Sequence, residues 1–181
     1  MRIISGDYKG RRITAPKKLP VRPTTDMAKE SLFNILNNLF LFEAISVLDL
    51  FSGTGNISYE FASRGVKNIV CVDKNYHCIK FINTTAHDFN MPLITVRGDV
   101  FNYLLNTKKK HDVIFADPPY DFDVDTFSKI PNIVFKNNLL KQNGLLIVEH
   151  SKHTNLSHLN HFLYSKIYGG NMFSFFKDME E

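Results

Sequence analysis

Five short runs of mostly apolar residues recur along the chain, and longer segments with helical character separate them. The runs are ISVLDLF (45–51), NIVCVD (68–73), LITVRGD (93–99), DVIFAD (112–117) and GLLIVEH (144–150). An apolar run of this length is typical of a strand that is covered on both faces. Strands that alternate with helices predict βαβ units, which form a parallel sheet with right-handed crossovers. The pattern therefore predicts an α/β fold.

The remaining segments supply the predicted helices and outer strands. Helices are expected at about 25–39, from the end of SGTGN to about Arg64, at 75–89 and at about 100–106. A further helical region at about 125–141 contains Pro131, which is predicted to interrupt it because proline lacks the amide donor. The last apolar segments, FLYSKIYGG and MFSFF, predict a closing hairpin, and residues 1–22 predict short strands and turns.

The positive charge of the chain is concentrated at one end. Residues 1–22 hold seven of the 22 basic side chains and one of the 18 acidic ones, which leaves 15 basic and 17 acidic residues elsewhere. A basic segment with an interleaved tyrosine and glycines favours contact with a polyanion backbone, and a solvated surface hairpin is the alternative. The basic candidates for such contact are Arg2, Lys9, Arg11, Arg12 and Arg22.

Glycines and acids follow the predicted strands at the ends where parallel sheets bind ligands. Gly53 and Gly55, in DLFSGTGN, allow close approach of the backbone to a ligand. The turn is not the phosphate-binding G-x-G-x-x-G, because position 58 is Ser58, and no P-loop lysine follows it. Asp73 is placed to accept hydrogen bonds from ribose hydroxyls, and Asp99 is placed for an adenine edge. Unless these residues are only turns and caps, they predict a pocket for a nucleoside without phosphate.

The fourth apolar run ends in Asp117, Pro118, Pro119 and Tyr120. The two prolines fix the backbone torsion φ and stiffen the loop. The Asp117 carboxylate and the Pro118 carbonyl then present two fixed acceptors beside a flat aromatic ring. This set suits a planar base with an exocyclic NH2, because hydrogen bonds from both N–H groups favour a pyramidal nitrogen whose lone pair attacks an electrophilic methyl.

In this order, DLFSGTGN, VDKN, RGD and DPPY resemble the motifs of the S-adenosylmethionine-dependent amino-methyltransferases. RIISGDYKGRRI, RPTTDMAKESLFNIL and KIYGGNMFSFF are similar to one branch, the bacterial 16S ribosomal RNA guanine-N2 methyltransferases of the small subunit. The resemblance covers nearly all of the chain. It implies a Rossmann-like class I methyltransferase domain at 23–181, with a doubly wound, mostly parallel seven-stranded sheet, and a small β-rich arm at 1–22 that grips RNA. The chain departs from the family in its SGTGN loop and in the short tail after MFSFF.

The resemblance also implies roles for individual residues, and methyl transfer to N2 of one guanine in 16S rRNA. The residues that hold the target amine are Asp117, Pro118, Pro119 and Tyr120. Those that hold the methionine end of S-adenosylmethionine are Asp49, Gly53, Gly55 and Asn56. Asp73 would hold the ribose and Asp99 the adenine. The residues implied to cover the cofactor are Thr24, Glu30 and Phe33.

Three other functions remain open. A DNA adenine-N6 methyltransferase usually needs a segment that reads bases, and no insertion long enough for one is visible. A protein glutamine methyltransferase typically carries asparagine at the position of Asp117. An RNA-binding ribosome assembly factor without turnover would not need the intact DPPY and Asp73.

The resemblance implies that the protein acts on a partly assembled small subunit, and the remaining features predict a monomer in the cytoplasm without a metal. No run of 18 apolar residues and no apolar leader is present, so no membrane segment or secretory signal is expected. Cys71 and Cys78 are expected to be reduced, buried thiols. Four histidines near the C-terminus are expected to be solvated or to face RNA rather than to bind metal: His150, His153, His158 and His161.

Overall fold

One seven-stranded sheet forms the centre of the computed structural model, which describes residues 1–16, 19 and 24–178. The strands are β1 (Ser46–Leu50), β2 (Asn68–Asp73), β3 (Leu93–Arg97), β4 (His111–Ala116), β5 (Leu140–Ser151), β6 (Phe162–Tyr168) and β7 (Asn171–Phe176). Their order across the sheet is β3-β2-β1-β4-β5-β7-β6. Strands β1 to β5 pair in parallel, and β7 runs antiparallel to both β5 and β6. The predicted mostly parallel, seven-stranded sheet is confirmed.

Five α-helices accompany the strands in the described part of the chain. They are α1 (Asp26–Asn37), α2 (Asn56–Ser63), α3 (Tyr76–Asp88), α4 (Val100–Asn106) and α5 (Val124–Lys136). Side-chain oxygens that accept hydrogen bonds from first-turn amides cap α1, α3, α4 and α5, and they belong to Thr25, Asn75, Asp99 and Asp123. None of the helices among these residues has the length and apolar content needed to cross a bilayer.

Helices cover both faces of the sheet. On one face, Val47 of β1 packs in an apolar layer with α1, α2 and α3. On the other face, Leu48 and Leu50 pack in a second layer with α4 and α5. Because neighbouring side chains of a strand point to opposite faces, both sets are buried and β1 reads as a continuous apolar run. This arrangement is the doubly wound fold that the alternation of strands and helices predicts.

The prediction of a helix broken at Pro131 is wrong. Helix α5 is continuous, and Pro131 lies inside it. Phe127, Ile130 and Val134 of the same helix are fully buried in the layer shared with α4. An interior proline costs a helix about 3 kcal/mol, whereas burial of each large apolar side chain contributes roughly 1.5–3 kcal/mol. The packing of this face therefore outweighs the lost backbone hydrogen bond.

The basic N-terminal segment packs onto the α/β domain. Among the residues of this segment that the structure describes, one antiparallel bridge joins Arg2 to Arg12 and turns replace the rest of the predicted short strands. Ile3 and Ile13 are buried in the same apolar layer as α1, α2 and α3. The segment therefore shares a hydrophobic core with the domain rather than projecting from it as a free arm.

A buried lysine links this segment to α1 and α2. Lys29 is fully buried, and its Nζ donates to the Arg2 carbonyl at 2.6 Å and to Asn56 Oδ1 at 2.8 Å. The same Nζ lies 3.6 Å from the carboxylate of Glu60, which also accepts two backbone amides of the N-terminal segment at 2.8 and 3.0 Å. Burial lowers the pKa of Lys29, and the Glu60 charge opposes this effect. Since a buried charge is tolerated only when it is paired, these contacts fix the three elements relative to one another.

His111 at the start of β4 makes the stability of the fold dependent on pH. The ring is fully buried, and neither ring nitrogen has a hydrogen-bond partner among the described residues. Burial, reinforced by the charges of Lys109 and Lys141, lowers the pKa of His111 to about 4. The unfolded chain therefore takes up a proton near pH 6.5 that the folded chain does not accept until about pH 4.

We expect His111 to remove on the order of 2 kcal/mol from the free energy of unfolding as the pH falls from 7 to 4.5. Urea denaturation of the wild type and of His111→Leu at both pH values measures this contribution, because the variant lacks the proton uptake. His153→Gln, at an exposed position, is the matched control and should keep the wild-type pH dependence. Equal losses in the wild type and in His111→Leu would contradict the assignment.

Candidate active site

The carboxyl ends of β1, β2 and β4 surround a cavity of about 430 Å³. Strand β1 pairs with β2 on one side and with β4 on the other, so the crossovers reverse direction at this strand. Such switch points are where open α/β sheets bind ligands. The sequence-predicted residues that line the cavity are Thr24, Asp49, Gly53, Asn56, Asp73, Asp99, Asp117, Pro118, Pro119 and Tyr120.

The loop between β1 and α2 turns through left-handed backbone positions. Phe51, Gly53 and Gly55 have φ values of 57°, 51° and 79°. A Cβ atom at Gly55 would come within 2.9 Å of the Tyr59 ring and 3.0 Å of Ile82, so this position requires glycine. Gly53 lines the cavity, whereas Gly55 is not part of its lining. Gly55 therefore determines the shape of the turn, and its predicted contact with the cofactor stays a prediction.

Asp73 and Asp99 support the local structure and also line the cavity. Asp73 accepts the Gly53 amide on Oδ2 at 2.8 Å and the Asn75 amide on Oδ1 at 2.7 Å. Asp99 caps α4 by accepting the Asn102 amide at 2.9 Å. Each carboxylate oxygen can accept a second hydrogen bond, so these residues can still bind a hydroxyl or amino group. Their contacts with ribose and adenine stay predictions.

Asp49 is a buried carboxylate beside the glycine turn. It is only 2% exposed, and its Oδ2 accepts the Ser58 hydroxyl at 2.5 Å. Burial raises the pKa of Asp49 to about 7, while the Ser58 hydrogen bond opposes the rise and the Asp73 charge adds to it. A positively charged ligand group beside Asp49 would favour the ionised form. The position therefore suits a cation.

The DPPY loop borders the cavity at the end of β4. The Asp117 amide donates to the last carbonyl of β1 at 3.3 Å, and the Phe122 amide donates to the Pro119 carbonyl at 3.2 Å, which closes the turn. Burial raises the pKa of Asp117 well above its ordinary value, and the charges of Glu149 and Asp49 raise it further. Asp117 is thus a desolvated carboxyl group on a loop tied to β1.

Tyr120 lies at the rim of the cavity. The residue is 37% exposed, and it lines the cavity together with Pro118 and Pro119. Its hydroxyl donates to Glu149 Oε1 at 3.3 Å. The aromatic side chain is therefore accessible at the rim while a buried carboxylate holds its far end.

Three phenylalanines form an aromatic wall that the sequence analysis missed. Phe51, Phe101 and Phe122 line the cavity, and their ring centroids lie 5.9 to 6.2 Å apart. The position of two of them in the sequence could have indicated this wall. Phe51 directly follows β1 and Phe101 comes two residues after Asp99, so both lie near the ends of strands that are predicted to bind a ligand. An apolar wall opposite carboxylates suits a ligand with a planar ring and polar edges.

Thr24 and Asn56 meet at another side of the cavity. Both residues are buried, and Asn56 Nδ2 donates to the Thr24 carbonyl at 3.2 Å. Asn56 Oδ1 accepts the Lys29 ammonium group, so the amide is oriented from both ends. The cavity wall is thereby connected to the buried lysine that fixes the N-terminal segment.

Glu30 and Phe33, which are predicted to cover the cofactor, are not part of the cavity lining, and their role as cover stays a prediction. Glu30 is exposed on α1. Phe33 is fully buried, with its ring centroid 4.6 Å from that of Phe61 and 4.7 Å from the Arg64 guanidinium carbon. Phe33 belongs to the apolar stripe of α1, and this stripe packs against the core. Of the three predicted residues, only Thr24, which precedes α1, reaches the cavity.

The predicted RNA-binding side chains that the structure describes lie at the surface. Arg22 is outside the described residues, and the exposed ones are Arg2, Lys9, Arg11 and Arg12. Arg2 pairs with Asp26 at 3.2 Å, and the Arg11 guanidinium carbon lies 5.5 Å from the centroid of the Tyr8 ring. Their exposure is compatible with a role in binding a polyanion, which stays a prediction.

Two of the four histidines near the C-terminus differ from the prediction. His150 is buried, with its ring nitrogens 2.9 Å from the Ser151 carbonyl oxygen and 2.7 Å from Ser174 Oγ. His161 stacks on Phe135 at a centroid distance of 3.9 Å, whereas the remaining two histidines are exposed. In the part of the chain that the structure describes, no cluster of three or more His, Cys, Asp or Glu residues could hold a metal ion.

Known proteins resemble this chain in sequence and in fold. Residues 1–177 match the family described as conserved hypothetical protein 95. The ribosomal RNA small subunit methyltransferase D of Buchnera aphidicola subsp. Baizongia pistaciae is 31% identical over 150 residues, which cover 82% of this chain and 75% of that protein. The putative methyltransferase YhhF of Escherichia coli has a TM-score of 0.84 at 24% identity, covering 97% of this chain and 96% of that one.

A more distant structure shares the same architecture. The 16S rRNA N2 G1207 methyltransferase RsmC of Thermus thermophilus, in complex with AdoMet and guanosine, has a TM-score of 0.71 at 18% identity, covering 89% of this chain and 45% of that one. These likenesses agree with the class I methyltransferase sheet described above. Because the family match spans almost the whole chain, and the Buchnera relative aligns over three quarters of its own length, this chain belongs to the conserved hypothetical protein 95 family of methyltransferases.

Proposed function

We propose that this protein transfers a methyl group from S-adenosylmethionine to the exocyclic N2 amine of a guanine in 16S ribosomal RNA. The observation that carries the proposal is Asp117 of the DPPY loop, a half-buried carboxyl group with a raised pKa, at the edge of a cavity lined by carboxylates and aromatic rings. The name of the Buchnera relative supports a small-subunit rRNA substrate, and the AdoMet and guanosine bound to RsmC support the cofactor and the base.

The residues of the cavity fit the chemistry of S-adenosylmethionine. Four carboxylates line the cavity, those of Asp49, Asp73, Asp99 and Asp117, and the cofactor carries positive charge on its sulfonium and ammonium groups. The aromatic wall suits the adenine ring. When bound, the cofactor supplies an electrophilic methyl group, so the reaction calls for no metal.

Individual roles follow from the positions of the side chains around the cavity. Asp73 and Asp99, at the ends of β2 and β3, would hold the ribose and the adenine edge. Asp49, Gly53 and Asn56, around the start of α2, would hold the methionine end. Of the predicted cover, Thr24 lines the cavity.

The target amine would be held by the DPPY loop. Asp117 and the Pro118 carbonyl would accept the two N–H groups of the guanine amine, while Tyr120 would stack on the base. Fixed acceptors orient the nitrogen lone pair and favour its pyramidal form, which lowers the barrier to attack on the methyl group. The guanine must leave its stack to reach this loop. The exposed basic residues of the N-terminal segment would hold the RNA backbone.

The proposed substrate is a partly assembled small subunit in the bacterial cytoplasm, and the proposed enzyme is a monomer. Asp117 argues against the glutamine methyltransferases, which typically carry asparagine at this position. Label transferred to duplex DNA but not to ribosomal RNA would favour the adenine alternative. RNA binding without any methyl transfer would favour the assembly factor.

Replacing Asp117 by alanine should abolish methyl transfer but preserve cofactor binding, because the carboxylate is proposed to hold the amine. We expect kcat to fall by at least about 100-fold. The Kd for S-adenosylmethionine should change by less than about threefold. Transfer of labelled methyl to small subunits from cells lacking the protein, followed by nucleoside separation, measures the first quantity, and calorimetry measures the second.

The matched control for this experiment is Asp125→Ala, which removes an exposed acid at the start of α5. This control should transfer methyl at the wild-type rate, with label in N2-methylguanosine. Label in a different nucleoside would replace the proposed target atom. Full activity of Asp117→Ala would refute the role of the DPPY loop.

The affinity for S-adenosylmethionine should increase as the pH rises from 6 to 8. Asp49 has a pKa of about 7 in the free protein, so ionisation over this range supplies the negative charge that a cationic ligand needs. If the ionised form alone binds well, Kd falls by about tenfold between these values. Calorimetry on the wild type and on Asp49→Asn isolates this effect, because the variant cannot ionise at this position. The same pH dependence in both proteins would contradict it.

Neutralising Arg11 and Arg12 together should weaken RNA binding and flatten its salt dependence. Two lost phosphate contacts reduce the slope of log K against log salt by about 1.5. Binding of 16S rRNA fragments to the double alanine variant, measured from 50 to 200 mM salt, gives this slope. The control is the double alanine variant of Lys108 and Lys109, which are exposed just before β4 at the opposite end of that strand from the DPPY loop. An equal loss of slope in the control would mean that the basic segment has no special role.

A further inference from the structure

Glu149, near the end of β5, is a buried carboxylate that the proposed contacts with cofactor and amine leave unused. The residue is 1% exposed. Its Oε2 accepts the Thr24 hydroxyl at 2.8 Å. Its Oε1 accepts the side-chain amide of Asn171 at 2.6 Å and the Tyr120 hydroxyl at 3.3 Å. Both oxygens of the carboxylate are therefore engaged.

The three donors come from three separate parts of the chain. Thr24 precedes α1 and lines the cavity, Tyr120 is the last residue of the DPPY motif, and Asn171 begins β7. Glu149 thus joins the segment before α1, the loop proposed to hold the target amine, and the hairpin of β6 and β7. No other contact described above brings these three parts to one side chain.

Glu149 also acts on Asp117 through its charge. Ala116 of β4 pairs with Val148 of the parallel strand β5. Asp117 directly follows Ala116 and Glu149 directly follows Val148, so the two acids lie at corresponding positions on adjacent strands. The charged groups that face Asp117 are Glu149 and Asp49, and both add to the effect of burial in raising the pKa of Asp117. The charge of Glu149 therefore opposes ionisation of the residue proposed to accept the amine.

Packing alone does not explain a carboxylate at this position. Removing a charged group from water is costly, and an apolar side chain such as those at Ile147 and Val148 fills a strand position without that cost. Hydrogen bonds to an ionised acceptor are shorter and stronger than neutral ones. The carboxylate thus provides what an apolar residue cannot, which is a fixed direction for three polar side chains.

We propose that Glu149 is a positioning residue for methyl transfer, which holds Tyr120 and the DPPY loop in the orientation that the target amine requires. The inference rests on the proposed function and adds to it a residue outside the DPPY motif. Thr24 and Asn171 complete the arrangement by fixing the carboxylate from the opposite side.

Two substitutions separate the geometry of Glu149 from its charge. Glu149→Gln keeps an oxygen for Asn171 and Tyr120, and its amide can donate to the Thr24 hydroxyl oxygen, so the hydrogen bonds persist without the charge. Glu149→Ala removes all three hydrogen bonds. At pH 8 we expect kcat of the glutamine variant to stay within about threefold of the wild type, and kcat of the alanine variant to fall by at least about 30-fold. The Kd for S-adenosylmethionine should change by less than about fivefold in both.

Two readouts distinguish positioning from a general loss of stability. Removal of the Glu149 charge lowers the pKa of Asp117, so the acid limb of the kcat profile of Glu149→Gln should move to lower pH than that of the wild type. Tyr120→Phe should lower kcat about three- to tenfold in the wild type and cause no further loss in Glu149→Ala, because both changes remove the same restraint.

Amide hydrogen exchange provides a test that needs no RNA substrate. The backbone amides of residues 117 and 120–124 should exchange faster in Glu149→Ala than in the wild type or in Glu149→Gln. Ser174→Ala, which removes a buried hydroxyl from neighbouring β7, is the control and should leave both exchange and kcat unchanged.

The inference is overturned if Glu149→Ala transfers methyl with the wild-type kcat, or if its effect and that of Tyr120→Phe are independent. Unchanged exchange of the amides of residues 117 and 120–124 in Glu149→Ala also overturns the inference. This test holds whether or not the wild type transfers methyl. A wild type that transfers no methyl to small subunits refutes the proposed function instead. The two failures are therefore distinguishable.

Discussion

The pairing of β1 with a parallel neighbour on each side determines where the groups of the cavity lie. Leu50, the last residue of β1, pairs with Val72 on one side and with Ala116 on the other. The residues that follow these two partners are Asp73 and Asp117, so the register sets one carboxylate on each side of the glycine turn. Because side chains alternate along a strand, a shift of one residue would turn both carboxylates to the other face of the sheet. The site therefore depends on the hydrogen-bond register of three strands.

Two sets of ionisable side chains in this protein differ in the charges that surround them. Lys29 and Glu60 neutralise each other and join the N-terminal segment to α1 and α2. Asp49 and Asp117, by contrast, lie among other carboxylates, and burial raises the pKa of both. Such an arrangement is unfavourable in the free protein and becomes favourable beside a cation. The Lys29–Glu60 pair stabilises the fold, whereas Asp49 is the proposed partner of a positively charged ligand group.

The strands, the glycine turn and the DPPY loop could be predicted because their signals are local. An apolar run that ends in an acid indicates a strand with a polar group at its end, whatever the rest of the chain does. The burial of Phe33 in the core could not be predicted, since the orientation of α1 against the sheet decides which of its residues reach the cavity and which enter the core. Pro131 was misjudged because local propensity ignores the packing of the apolar face of α5. Glu149 reads as one polar residue in an apolar run, and its partners Thr24, Tyr120 and Asn171 lie between 22 and 125 residues away in sequence. Contacts of that range come from the tertiary fold and leave no local signal.

The hydrogen bonds of Glu149 also bear on the order in which the chain folds. The contact with Thr24 spans 125 residues, whereas the hairpin of β6 and β7 closes through neighbours in sequence. Long-range contacts carry a greater loop-closure entropy and tend to form after local ones. The hydrogen-bond network of Glu149, which holds the DPPY loop, should therefore be completed late in folding, when β5 is already paired with β4 and β7. A partly folded chain with a complete central sheet would still lack an ordered DPPY loop.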